Sequence, residues 1–356
     1  MRTDTQLGQP LPRASHRRSR PWAGYLWYPG TILLWGLLLW GLGMWRGYWW
    51  LGLAVIFLLV ALLADQVGKG IPVRQRPRYE RFLAIGFPIL LLIAWEWLVR
   101  GGVLNARWFP PPTRIIAALW DLTVTYDQFN ETSLLGRPWL IPQRLSTEGW
   151  AGATALLAES HVLATLTRVF VGFLLGAAPG ILLGMIMGMN RTIRLMLDTT
   201  MSAVYVLPKI AIFPIMMLLF ADPFGEGPKI AVVAISAFFL VAINTMVGVR
   251  DIDPIYIHAG RNYGANRWQL FYHVIIPGAL PVIFAGLRLA LGTALIVIVA
   301  IEFVRARKGV GFMTFYYWEI LSTEKMYAGL VMVMILGVLL TYGLQRLERV
   351  IMPWQE

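Results

Sequence analysis

Eight apolar stretches, each long enough to cross a lipid bilayer, constrain this chain more than any other feature of its sequence. They cover residues 23–45, 47–64, 82–99, 162–189, 199–221, 230–249, 274–301 and 326–345, which together make up half of the 356 residues. A helix needs roughly 20 apolar residues to span about 30 Å of hydrocarbon. A chain that is 58% hydrophobic and 14% charged holds more apolar surface than one soluble core absorbs. Lipid offers no partner for backbone N–H and C=O groups, so the stretches must satisfy themselves as helices. The sequence therefore predicts an all-α fold, a polytopic membrane helix bundle of about eight transmembrane helices. A soluble enzyme on a single anchor is excluded. The first stretch is also too long for the apolar region of a signal peptide.

The formal charge of +12 says less about partners than the distribution of the basic residues does. With both termini on one side, 17 of the 31 Lys and Arg fall on that side and 11 on the other. The excess is largest in the Arg13 to Arg20 tail and the short Arg74 to Arg81 loop. Short basic loops stay in the cytoplasm, so the expected localisation is a bacterial plasma (inner) membrane, multi-pass, with both termini cytoplasmic. Anionic membrane lipid is the partner this charge points to, and no nucleic-acid partner is expected.

The chain has no cysteine, which excludes disulfides, thiolate metal sites and a cysteine nucleophile. No paired histidines at helical spacing, phosphate-binding Gly-Lys loop or dinucleotide fingerprint is present. No cofactor is expected, and any nucleotide hydrolysis must reside on another subunit. A membrane-embedded transferase using Asp251, Asp253 and His258 as a metal site is the competing class, but those carboxylates also suit helix capping.

Residues 1–22, rich in Arg and broken by Pro10, Pro12 and Pro21, read as a disordered cytoplasmic tail. Stretches 23–45 and 47–64 form a hairpin with Trp40, Trp45, Trp49 and Trp50 at its turn, where indoles favour the headgroup layer. A basic linker reaches residue 81. Residues 23–81 are thus an accessory hairpin and linker, and 82–356 form a core of six transmembrane helices. In the long external segment 100–161, Pro110, Pro111 and Pro112 hold the chain extended, and Thr113 is expected to cap a helix from Arg114 to about Thr125.

Two patterns in the core stand out. Gly172, Gly176, Gly180, Gly184 and Gly188 recur every fourth residue and line one face, a surface for close helix packing. Residues 250–277 are punctuated as two short helices: Asp253 caps, Pro254 suits the first turn, Gly264 supplies a left-handed stop, and Asn266 restarts the chain. Trp268, Phe271 and Ile275 are spaced to share a face, and Pro277 marks the next span.

The segment His258-Ala259-Gly260-x3-Gly264-x9-Val274-x-Ile276-Pro277 resembles the EAA loop of ABC importer permeases, Glu-Ala-Ala-x3-Gly-x9-Ile-x-Leu-Pro. The flanks resemble the nitrate/sulfonate/taurine branch of that family: residues 160–166, 207–214 and 285–288, Glu302, residues 309–311 and residues 327–329. His258 stands where the family usually has Glu, Gly260 where it has the second Ala, and the 23–64 hairpin is additional to the usual six spans. The resemblance implies an ABC type I importer-like core, a homodimer with two copies of an ABC ATPase subunit docked on the inner loops, and an extracytoplasmic solute-binding protein. Asp253, His258, Ala259, Gly260, Gly264, Trp268, Ile276 and Pro277 would form the ATPase-coupling loop. Import would proceed by alternating access, driven by ATP that this chain does not touch.

Charges inside apolar stretches are costly and usually face protein or water. Lys209, between Pro208 and Pro214, Arg288 and Glu302 are the candidates for lining the translocation path. An internal ion pair is the competing reading for Arg168, Arg288 and Glu302, and an interfacial position accounts for Glu96. With 16 Trp, 13 Tyr and 17 Phe, and no span cation beyond those common to the branch, the solute expected is a vitamin or aromatic heterocycle of riboflavin or thiamine-precursor type. Nitrate, bicarbonate, sulfonate or taurine is the alternative.

Overall fold

The computed structural model describes residues 30, 31, 34–38, 45–72 and 74–355. These fall into two compact units, residues 1–105 and 106–356. Most of the 23–45 stretch and the whole 1–22 tail lie outside the described residues. In the first unit, α1 (Trp45–Gly70) contains the 47–64 stretch and α2 (Arg76–Arg100) contains 82–99. The two helices are joined by the Tyr79 hydroxyl, which donates to the Ala64 carbonyl at 2.8 Å, and by an edge-on contact of the Phe57 and Phe87 rings. Ile85, Ile89, Leu90 and Ile93 of α2 are exposed, an apolar surface that suits lipid rather than water.

The second unit opens with α3 (Pro112–Val124). Thr113 does not cap it. Pro111 precedes the helix in an extended conformation and Pro112 takes the first turn, where a missing N–H costs nothing. The following helix, α4 (Ile141–Ala158), was not anticipated, because its only strong signals are Pro138 and Pro142 at its approach; it breaks at Gly149, whose φ is +66°. Next comes α5 (His161–Met189), capped by the Ser160 side chain, which accepts from the Leu163 N–H.

The 199–221 stretch is not one helix. It starts early, with α6 (Arg191–Val206) capped by Asn190, and then breaks at Leu207-Pro208 into a short 3-10 turn (Lys209–Ile212) and α7 (Phe213–Leu219). The two halves are bent by 94°. Pro208 and Pro214 remove two N–H groups and their rings forbid the preceding turns, which ends α6 where it does. The remaining helices are α8 (Glu226–Arg250), α9 (Pro254–Asn262), α10 (Arg267–Leu270), α11 (Ile276–Arg305), α12 (Val310–Glu319) and α13 (Thr323–Ile351). Among the described residues, five helices are long and apolar enough to cross a membrane, or six with the bent pair counted as one span. They correspond to the six stretches expected between residues 82 and 356.

The core of the second unit is a layer of α5, α8 and α11. Val232, Val233, Ala237, Val241 and Ala242 of α8 are buried against α5 on one side, and Ala279, Ile283, Ala290 and Ala294 of α11 are buried with them. Helices α5 and α8 run parallel, since positions later in one meet positions later in the other. Their first residues therefore share one end of the unit, and the 250–277 segment lies at the other.

Candidate functional site

The 250–277 segment is built by local chemistry almost residue by residue. Arg250 pairs with Asp251 at 2.8 Å, and this ion pair holds the Asp251 carboxyl below its ordinary range. Asp253 accepts from the Ile255 N–H at 2.9 Å and Pro254 opens α9. Gly264 has a φ of +79°, a left-handed conformation that glycine adopts freely and a β-branched residue does not. Asn266 and Gln269 then form a reciprocal capping box, each side chain receiving the other's backbone N–H at 2.8 Å. A five-residue π-helical turn, Phe271–Ile275, joins α10 to α11.

The two short helices are fixed against each other at Gly260. A Cβ there would come within 2.8 Å of Leu270 Cδ1, so the glycine lets Leu270 sit buried beneath α9. Several side chains remain outside. His258, Ala259 and Trp268 are exposed, as are Ile255, Tyr256, Tyr263 and Tyr272. The Trp268 ring stacks on Tyr272 and meets Phe271 edge-on. Ile276 and Pro277 are half-buried at the entry to α11. Tyr256 and Tyr263 were not singled out from the sequence, although Tyr256 lies two residues before His258 and Tyr263 one before Gly264.

The five glycines of α5 face α8 of the same chain. A Cβ on Gly172 would meet Val233 at 2.6 Å, on Gly180 the Phe238 oxygen at 2.9 Å, on Gly184 Thr245 at 2.6 Å, and on Gly188 Val249 at 2.6 Å. Gly176 is closest of all, its Cβ position lying on the Ala234 carbonyl and 2.9 Å from the Phe238 nitrogen. Backbone approaches backbone at all five positions. Close contact of this kind replaces the hydrophobic effect, which is absent between helices in lipid.

Each charged residue within the apolar stretches has an internal partner. Lys209 Nζ donates to the carbonyls of Val204, Tyr205 and Leu207, and so satisfies the end of α6 that the Pro208 break leaves open. Arg288 pairs with Glu348, joining α11 to α13. Glu302 is fully buried and accepts from the Thr165 hydroxyl at 2.9 Å, Arg168 Nη1 at 2.7 Å and the Gly311 N–H at 2.9 Å. Arg168 also forks onto Glu226 and donates to the Lys308 carbonyl at 2.6 Å. Lys229 completes the group, 3.1 Å from Glu226. This cluster ties α5, α8, α11 and the approach to α12 together at the end opposite the 250–277 segment.

Residues 180–351 match the family described as binding-protein-dependent transport system inner membrane component. The chain is 31% identical over 272 residues to the taurine transport system permease protein TauC of Escherichia coli, a match spanning 76% of this chain and 89% of that one. This chain belongs to the ABC importer permease family. It is also 28% identical to the putative aliphatic sulfonates transport permease protein SsuC of Bacillus subtilis, over 80% of this chain and 92% of that one. To the formylaminopyrimidine transport permease protein ThiX of Halalkalibacterium halodurans it is again 28% identical, over 68% of this chain and 93% of that one. The permease is a non-enzymatic, membrane-embedded transport subunit of the kind that works with an ATPase and a binding protein.

Two charged members of the permease's buried cluster, Glu226 and Lys229, and two of its polar neighbours, His161 and Thr165, escaped the sequence reading. Glu226 and Lys229 lie just ahead of the 230–249 stretch, so they read as loop residues; in the fold they occupy the first turn of α8, and Lys229 is as deeply buried as Arg168. His161 accepts from the Gly309 N–H at 3.1 Å, and Thr165 accepts from that of Val310 at 2.9 Å. The available signal was the i, i+4, i+7 spacing of His161, Thr165 and Arg168 on one face of a helix.

Proposed function

We propose that residues 250–277 are the docking knob for an ABC ATPase subunit, and that two copies of this chain, each carrying one ATPase, form the transport pathway between them. The observation that carries this reading is a rigid helix-glycine-helix whose two halves are capped and locked at Gly260 and Leu270, leaving an aromatic surface around Trp268 exposed. A surface of this kind transmits force only if it cannot pivot. His258 replaces an acidic side chain at this surface, so the contact relies on aromatic and apolar groups more than on charge. The knob lies on the cytoplasmic side in this reading, with residues 100–161 and 302–325 outside, where the solute-binding protein docks.

Gly264→Val is the test. A Val at a φ of +79° is strained by about 1–2 kcal/mol or more, and the chain relieves this by re-aiming α10. Insertion in the membrane is expected to be normal, whereas co-purification of the ATPase and uptake both fall at least tenfold. Normal values for both would remove the docking role.

For the solute, the internal pairing of Lys209, Arg168 and Arg288 supports a neutral aromatic heterocycle of vitamin-precursor type, since each of these cations already donates to the chain itself. Of the path candidates, Lys209 at the 94° break keeps the strongest claim, because unwound backbone in a membrane belongs beside a cavity; Arg288 and Glu302 act as internal pairs. Taurine, sulfonate, nitrate or bicarbonate is the alternative. Calorimetry on the partner binding protein decides it: saturable binding of an aminopyrimidine or riboflavin with none of taurine or nitrate supports the first reading, and the reverse rejects it.

The 23–81 hairpin and linker are accessory in this scheme, and 82–356 is the transporting core. A chain beginning at Arg78 keeps a basic flank before α2. It is expected to insert, bind the ATPase and import solute, at reduced abundance. Normal insertion and ATPase binding with no transport would place the hairpin in the mechanism.

A further inference from the structure

At the end of the second unit opposite the docking knob lies a cleft of about 430 Å³, formed by the 125–134 loop, the start of α5, one face of α12 and Lys325 of α13. The length of α8, 25 residues or about 37 Å, separates this end from the 250–277 segment. In the proposed arrangement the cleft lies on the side where the solute-binding protein docks, but neither the coupling-loop residues nor Lys209, Arg288 or Glu302 line it. Its walls are aromatic. The Phe312 and Tyr316 rings stack with centroids 6.2 Å apart, the His161 ring lies tilted 6.1 Å from Phe312, and Tyr317 meets Tyr316 edge-on at 5.3 Å. Tyr126 lines the cleft from the loop, with the Arg137 guanidinium 4.0 Å from its ring centroid and Glu159 holding Arg137 in turn.

Two charged side chains of opposite sign, Lys325 and Asp127, line the cleft among its polar groups. Lys325 is neutralised by Asp121 at 2.9 Å. Among the described residues no cation pairs with Asp127; its oxygens accept from the N–H groups of Phe129 and Asn130 and from the Asn130 amide. Burial raises the Asp127 carboxyl, but those three donors outweigh it and hold the group below its ordinary range, ionised at neutral pH. Thr132 is fully buried beneath the cleft, and its hydroxyl has no hydrogen-bond partner among the described residues. A native protein seldom leaves such a group unpaired. Burial, with Asp127 nearby, pushes the Tyr317 phenol up to about 12, so it remains a donor.

We propose that this cleft is a binding site for a planar aromatic cation, a protonated amino-heterocycle of one or two rings, packed among Tyr126, Phe312, Tyr316 and Tyr317 with its charge toward Asp127. The volume suits it, since small-molecule sites begin at about 300 Å³. Tyr126, Phe312, Tyr316 and Tyr317 supply aromatic surface to the cleft, and a cation over aromatic rings gains more in a desolvated site than at a surface. An anion is disfavoured by the unneutralised carboxylate. The site stands whether or not the same molecule is the one transported.

The test uses the full chain in lipid nanodiscs with 4-aminoquinoline, a planar ring cation at neutral pH, read by fluorescence titration. Saturable binding is expected, with no competition from a large excess of taurine. Asp127→Asn keeps an oxygen for the Phe129 and Asn130 N–H groups while removing the charge, and is expected to weaken binding at least tenfold. Tyr316→Ala removes one aromatic wall of the cleft and is expected to weaken binding about fivefold or more, with assembly checked by gel filtration. Absence of saturable binding to the parent chain, or parent-like affinity in either variant, overturns the assignment.

Discussion

Replacing Gly176 with alanine is expected to cost about 3 kcal/mol of helix-bundle stability, an unusually large effect for one added methyl group. The new Cβ would lie on the carbonyl of Ala234 and 2.9 Å from the Phe238 nitrogen. These are backbone atoms of α8, which cannot rotate out of the way as a side chain can, so the whole of α8 must retreat. Retreat loosens the contacts at Gly172, Gly180, Gly184 and Gly188 together, because all five lie on the same interface. Gly292→Ala is the matched control. Gly292 is in the interior of α11 with nothing within 4 Å of its Cβ position, and alanine there gains helix propensity, about 1 kcal/mol in water. Both variants should be compared by the midpoint of unfolding in a denaturing detergent and by the amount of monodisperse protein recovered. A Gly176→Ala chain as stable as the parent would show that α5 and α8 are not held by backbone contact.

How much of this molecule is written locally explains how much of it was readable. The 250–277 segment is almost wholly local: Asp253 bonds two residues ahead, Asn266 three, and the positive φ of Gly264 depends on its own lack of a side chain. Such features can be named from spacing alone. The glycine stripe was readable as a face but not as a pair, since a period of four says that something approaches closely and not which helix does. The break at Pro208 was readable in the prolines, yet the 94° bend depends on where α7 finds its packing against α8. The buried ion cluster was the least visible part. Arg168 reaches Glu226 58 residues away and Glu302 134 residues away, and no periodicity links positions on three different helices. Residues 125–134 carry no repeating pattern, so the cleft they form emerged only from the fold.

The ion cluster gives the second large expectation. Arg168→Met is expected to destabilise the bundle by about 3–5 kcal/mol, because removing one member of a buried ion pair leaves the others uncompensated. Arg168 holds two carboxylates at once, one fully buried, and also satisfies the Lys308 carbonyl. Without it, Glu302 keeps only the Thr165 hydroxyl and the Gly311 N–H, neither of which neutralises a charge. Lys229 remains near Glu226 but contacts only that side of the cluster. Arg168→Lys should fall between parent and Met, since a single ammonium cannot reproduce the planar fork toward Glu226 while reaching Glu302. The double variant Arg168→Met with Glu302→Leu is the decisive measurement: it removes both buried charges of the pair and leaves Glu226 with Lys229. If the cost of the single change comes from an uncompensated carboxylate, the double variant should be more stable than Arg168→Met alone despite carrying one more substitution. If it is less stable, the penalty comes from lost packing at the start of α5, and the cluster holds the helices by shape rather than by charge.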